Sequence, residues 1–308
     1  MKTKVANVAH SVRQRLKTLA QKSGRNADYL YQRYAFERFY YRIGISPFAT
    51  KFILKGASLF AIWLGPMFRV TQDTDLEARL ALSHEEIAAA FKAIASMPVE
   101  EDDGVVFKME TLELLDIKKH DNYTGVRVKF VATLEQARIL LQFDLGFGDS
   151  IYPSPERASY PTLLGGTPPL LHIYPYYSVV AEKLSAIILL GMANSRLKDY
   201  FDLWTLSKHF SFNLDTLRVA LHRTFTRRQI PLPQTFPIGL QPVFYNDKGK
   251  IAQWKAFLKK VAPQTFPDTL EAAIQHLHCF LEPLLLESSL THATWSPHTS
   301  QWHPACKD

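Results

Sequence analysis

The apolar residues of this chain change their period part-way along it, and that change limits the folds open to it. Residues 52–54, 70–77, 105–115, 126–133 and 139–145 are short runs of strand-like composition, whereas 179–190, 197–209, 214–225, 251–261 and 270–286 repeat at helical spacing. A Pro-rich stretch, 152–176, separates the halves and reads as a long connection. Strands gathered in one part and helices in another make an α+β chain. Two further helices lead in. Val5, Val8, Val12, Leu16 and Leu19 place one over 3–22, and an aromatic-rich one fits 27–43, closed by Ser46-Pro47. The aromatic spacing of the second favours core packing, with stacking on bases as the other use of such rings. Helices over 57–64 and 83–97 lie among the strands, the latter with Ser83 as N-cap and Glu85 and Glu86 in its first turn. The divisions expected are 1–50 (basic helices packed on the core), 51–165 (the strand-bearing domain), 166–287 (a helical lobe) and 288–308 (a loose tail).

At 308 residues and 47% hydrophobic, the chain can bury a substantial core, in one large domain or in two lobes sharing a cleft. It holds no uninterrupted apolar run of membrane-spanning length and no apolar leader core, so a cytoplasmic protein without a membrane partner is expected. Cys279 and Cys306 are too few for a disulfide framework. The net charge of +7 is uneven: residues 1–55 hold twelve Lys and Arg against Asp28 and Glu37, a balance of +10, which leaves −3 for the rest. Such a block either attracts a polyphosphate backbone or lines solvated helix faces.

The chemistry-bearing residues lie around Asp73-Thr74-Asp75. In a strand, alternate residues share a face, so both carboxylates can reach one ion while Thr74 faces away. Asp144 sits in the apolar run Leu140-Leu141-Gln142-Phe143-Asp144-Leu145, where a lone charge is costly unless a metal ion or another cation stands near it. Three carboxylates suit magnesium, which takes hard oxygen ligands together with substrate phosphates. Lys55-Gly56-Ala57-Ser58 offers a glycine that lets the backbone approach a phosphate at a helix start. Arg69 and Thr71 precede the carboxylates by even steps; Arg69 meets either an acid or a phosphate or base. On the helical half, Lys183 lies in an apolar run, with Arg196, Asp199 and Asp202 on the next helix and the two acids on one face. An interhelix salt bridge and a hold on triphosphate are even readings of that group.

These residues resemble the AbiEii/AbiGii toxin family, nucleotidyltransferases of bacterial abortive-infection and MenT-type toxin–antitoxin systems. The likeness runs over roughly residues 5 to 245, through Phe36-Glu37-Arg38, Leu54-Lys55-Gly56-Ala57, Arg69-Val70-Thr71-Gln72-Asp73-Thr74-Asp75-Leu76, Gln142-Phe143-Asp144-Leu145-Gly146-Phe147-Gly148-Asp149, Ala181-Glu182-Lys183-Leu184 and Asn194-Ser195-Arg196-Leu197-Lys198-Asp199-Tyr200-Phe201-Asp202. The resemblance implies a polymerase-β-like nucleotidyltransferase core, a mixed sheet flanked by helices, with a helical C-terminal lobe. It implies that Asp73 and Asp75 bind magnesium (or manganese), that Lys183 contacts the NTP triphosphate, and that Asp199 is an essential acid with Asp202 nearby. The family often has Gly-Gly or Gly-Ser where this chain has Gly56-Ala57. MenT-type members modify the 3′ acceptor end of tRNA and are neutralised by a companion antitoxin, so tRNA and an antitoxin are the partners implied. Thr71 corresponds to a hydroxyl that can be phosphorylated in related toxins; fixing the strand end is its simpler role. Nucleotidylation of a protein or small molecule, and a non-catalytic module that binds RNA or a partner, are the alternatives.

Overall fold

Helix α1 (Val8–Ser23) starts where the Asn7 side chain accepts the His10 amide, and it stops at Gly24 in the left-handed conformation. A computed structural model describes residues 7–66, 68, 71, 73–79, 83–118, 124–261, 266–286 and 290–304. By contact they form two units, Met1–Asp149 with Pro155–Tyr174, and Ser150–Ser154 with Pro175–Asp308.

In the first unit α1 is followed by α2 (Ala27–Ile45), β1 (Phe52–Lys55), a 3-10 turn at Gly56–Ser58 running into α3 (Leu59–Leu64), β2 (Thr74–Ala78), α4 (His84–Ala95), β3 (Val105–Lys118), β4 (Thr124–Leu134), β5 (Ala137–Phe147), β6 (Glu156–Ser159) and β7 (Leu170–Ile173). The strands make one mixed sheet in the order β3-β4-β5-β2-β1-β7-β6, with β5 parallel to β2 and β1 parallel to β7. This is an α+β architecture, a mixed sheet flanked by helices. The aromatic face of α2 is core. Phe39 packs on Phe143 of β5 with ring centroids 4.9 Å apart and on Phe91 of α4 at 5.5 Å, contacts worth about 0.5–1.5 kcal/mol each beyond burial. Ser83 caps α4 through a full capping box with Glu86, as the sequence leads one to expect. At Gly44 a side chain is impossible for another reason: a Cβ there would lie 2.5 Å from the Leu170 carbonyl oxygen, so its absence lets α2 close on β7.

The Pro-rich stretch is not a plain connection. β6 fits between Pro155 and Pro161, and β7 between Pro169 and Pro175, so the prolines bound the strands and leave their amides free to pair. Strand β2 also begins later than expected. Thr74 is its first residue, which puts Asp73 just before it; Arg69, Val70 and Gln72 lie outside the described residues.

The second unit holds α5 (Tyr176–Leu190), α6 (Leu197–His209), β8 (Phe212–Asn213), α7 (Leu214–Arg227), α8 (Pro242–Tyr245), α9 (Lys248–Val261), α10 (Leu270–Leu285), β9 (Ala293–Ser296) and β10 (Gln301–Pro304). By length and mean hydropathy the segment Tyr176–Ala193 would pass for a membrane-crossing helix. It is α5 with its following turn, and Val179, Val180, Ala181, Leu184 and Ile187 are buried in the core of this unit. The expected loose tail is partly an ordered hairpin: β9 pairs with β10 and with β8. The fully buried Trp295 anchors it, its indole N–H donating to the Ser207 carbonyl at 2.6 Å, and Trp302 stacks on Phe280. Two tryptophans supply the apolar area that lets so short a segment pack despite its polar composition.

Candidate active site

Sheet register gathers the carboxylates of the first unit. Asp75 on β2 lies opposite Lys55 on β1 and opposite Asp144 on the parallel strand β5. Asp73 and Asp75 are half-buried, while Thr74 between them is fully buried and bonded to the Tyr40 hydroxyl at 2.5 Å. The alternation expected from the sequence holds. Thr71 Oγ1 donates to the Asp73 backbone oxygen at 3.0 Å and to its Oδ1 at 3.1 Å, fixing the approach to the strand. Gly56 has a φ of +72°, and a Cβ there would sit 2.2 Å from Asp75 Oδ2. Only glycine allows both this turn and this carboxylate. Ala57 is half-buried beside it, and Ser58 is buried, accepting from Tyr40 at 3.3 Å.

The cation that makes Asp144 tolerable is Arg127 of β4, its partner in register across the antiparallel pair. Nε and one terminal nitrogen donate to the two carboxylate oxygens, each at 2.8 Å, in a bidentate fork. Those hydrogen bonds, and beyond them the charges of Asp144, Asp73 and Asp75, outweigh desolvation and raise the guanidinium pKa above its ordinary value. One guanidinium therefore stands in the field of three carboxylates. Among the described residues no three acidic, His or Cys side chains converge where an ion could sit, and with both Asp144 oxygens turned to Arg127 the reason is plain.

Lys55 is turned to acids as well. Its ammonium pairs with Glu77 at 2.9 Å and with Asp149, and lies 5.3 Å from the Tyr174 ring centroid. Burial pushes the Glu77 carboxyl upward; Lys55 opposes this, and the nearby Asp149 charge adds to it. The Asp149 amide donates to the other Glu77 oxygen at 2.7 Å. Sequence reasoning gave no role to Arg127 or Glu77. Glu77 continues the alternation of Asp73 and Asp75, a signal that was available; Arg127 becomes visible only once β4 is set in register. Arg33, Arg38, Arg42 and Lys55 of the basic N-terminal block are buried, which narrows the basic surface to residues such as Arg15, Lys17 and Lys22.

The second unit holds the other expected group. Lys183 on α5 pairs with Asp199 at 3.0 Å and with Asp202 at 2.5 Å, both on α6, and Arg196 reaches Asp199 at 3.0 Å. Burial would raise the Asp199 pKa, but Lys183 and then Arg196 more than offset it, and the net shift is downward. Arg196 is the exposed member; the acids are fully buried.

The family model for the AbiEii nucleotidyl transferase toxin of type IV toxin–antitoxin systems matches residues 38–276. The chain belongs to that family. It is a nucleotidyltransferase, of a family of toxins from type IV toxin–antitoxin systems, and such enzymes generally use nucleoside triphosphates and divalent metals. No curated protein matches the sequence. Similar solved structures are JHP933 from Helicobacter pylori, 17% identical with a TM-score of 0.46 over 82% of this chain and 93% of that one. Another is a protein described as a candidate nucleotidyltransferase from H. pylori, also 17% identical, with a TM-score of 0.47 over 83% and 97%.

Proposed function

We propose that this nucleotidyltransferase acts in the cytoplasm on RNA, moving a nucleotide from an NTP to the 3′ acceptor end of tRNA and so halting translation and growth until a cognate antitoxin neutralises it. The observation that supports the reading is the register of Asp75 with Asp144, one step from Asp73 and against the Gly56 turn. Asp73 and Asp75 would hold magnesium, or manganese in its place. Their chemistry fits: two half-buried hard-oxygen donors suffice for an ion that takes its remaining ligands from phosphates and water. Bound there, the ion would offset phosphate charge and polarise the reacting phosphoryl group.

The chain's own residues would do the rest. Gly56, Ala57 and Ser58 would offer backbone to a phosphate, with Thr71 beside Asp73; Arg69 is given a part in nucleotide binding on its place in the sequence alone. Lys55, tied to Glu77 and Asp149, holds that turn to the sheet. Asp144 would be the third carboxylate, on the side of the attacking hydroxyl, with Arg127 as its counter-ion. Lys183, Arg196, Asp199 and Asp202 are assigned to nucleotide contact and its support on the family resemblance alone.

Incubation of the purified chain with each labelled NTP and total RNA tests the proposal. Label should enter an RNase-sensitive, tRNA-sized band with magnesium present, and Asp73→Ala should abolish both transfer and growth inhibition. Full activity in Asp73→Ala sinks the site assignment. Label that survives RNase in a protein or small molecule favours the other acceptor class, and failure to bind any NTP with magnesium favours a non-catalytic module.

A further inference from the structure

Arg33 of α2 is buried, with 6% of its surface exposed, yet among the described residues its Nε and one terminal nitrogen have no hydrogen-bond partner. It faces a narrow pocket in the first unit, lined also by Tyr29, Tyr40, Ser58, Thr71 and Tyr160, with room for about one water-sized group. Tyr40, Ser58 and Thr71 are engaged elsewhere. Tyr40 bonds to Ser58 and Thr74, and Thr71 donates to Asp73. Glu37, one helical turn from Arg33, contributes charge but not a bond: its oxygens accept from Arg38 at 2.6 Å and from the Leu163 amide at 2.8 Å. The Tyr160 ring, 5.8 Å from the guanidinium carbon, supplies only a weak cation–π contact.

A buried guanidinium with two idle donors is destabilising unless something else repays it. Two features say what that is. Two idle N–H groups on one edge of a guanidinium suit a phosphate oxygen, which can accept from both. The pocket wall includes Ala57 and Ser58 of the glycine turn and Thr71 beside Asp73, the two segments that flank the carboxylates. The space is too small for a nucleobase or a whole phosphoryl group, but it admits one oxygen at the end of a phosphate chain.

We infer that Arg33 is a phosphate-binding residue that grips the distal phosphate of the NTP, and afterwards the pyrophosphate released from it. The inference rests on the nucleotidyltransferase site proposed above. It gives the first unit a binding residue on a helix that sequence reasoning assigned to packing.

Calorimetric titration of the full chain with magnesium pyrophosphate tests it, using wild type, Arg33→Met and Arg33→Lys. Arg33→Met should weaken pyrophosphate roughly 10- to 100-fold, leave a nucleoside monophosphate within about twofold, and keep or raise Tm, because two unsatisfied buried donors are gone. Arg33→Lys should fall between, having the charge without the fork. A folded Arg33→Met chain with unchanged pyrophosphate affinity overturns the inference. So does an unfolded Arg33→Met chain if Arg33→Lys matches wild type, since the residue is then structural. Wild type that transfers nucleotide while Arg33→Met shows the same KM and the same inhibition by pyrophosphate defeats the inference alone; wild type that binds neither NTP nor pyrophosphate defeats the nucleotide site as well.

Discussion

The two charged clusters of this protein are built on opposite principles. In the first unit Asp73, Asp75 and Asp144 share the field of Arg127, the first two are half-buried, and the fork is spent on Asp144 alone. In the second unit Asp199 and Asp202 are fully buried and answered by Lys183 and Arg196. Carboxylates at a half-open sheet position are within reach of a cation from solvent. A buried, balanced set holds two helices together, and removing one partner leaves a bare charge in the core. Burial and balance thus set a half-open cluster apart from a closed one, although the motifs look alike in sequence.

The comparison breaks most visibly in stability. Lys183→Met takes the ammonium away from two buried acids and should cost about 3–5 kcal/mol in urea unfolding, whereas Asp73→Ala, at a half-exposed position outside any strand, should stay within about 1 kcal/mol of wild type. Equal losses in both would mean that the first cluster bears on stability as much as the second. Arg127→Met should have a middling effect, about 1–3 kcal/mol, because Asp144 loses two charge-assisted hydrogen bonds. Magnesium sharpens this result: it should raise the Tm of Arg127→Met more than that of wild type, and an equal rise would show that the ion and the guanidinium do not compete for one carboxylate.

The smallest effect concerns acid. His276 of the second unit has its pKa lowered to about 4 by burial and by the charge of Lys208. The unfolded chain therefore takes up that proton first, so stability is lost as pH falls from about 6.5 toward 4. Asp199, also depressed, withdraws its contribution only below the ordinary carboxylate range. Glu77 of the first unit is shifted the other way by burial, so protonation relieves it and its contribution is lost as pH rises. Hydrogen exchange between pH 7 and 4 should show α6 and α10 loosening before β1 and β2. Simultaneous loosening would remove the distinction.

Much of this was legible without coordinates. Ser83-Glu86 announced its capping box, the aromatic spacing of α2 announced packing, and Asp73-Thr74-Asp75 announced two like-facing acids split by a buried residue. Such features depend on residues a few positions apart, where backbone geometry alone sets who meets whom. The tail misled because its composition is polar and aperiodic, yet Trp295 finds Ser207 eighty-eight residues away. The strands β6 and β7 were hidden because prolines suggest interruption until their positions at the strand ends are seen.

The sequence by itself determined the main helices and the strands as far as β5, the α+β class, the family and the residue types of the candidate site. Tertiary structure decided their partners. That Asp144 faces Arg127, that Lys55 is spent on Glu77 and Asp149, and that Arg33 is buried with idle donors follow from sheet register and helix docking. The physical reason is that a charge has its meaning in its surroundings: the same side chain is a solvated ornament, a core tie or a ligand site according to the dielectric and the partners that packing brings to it.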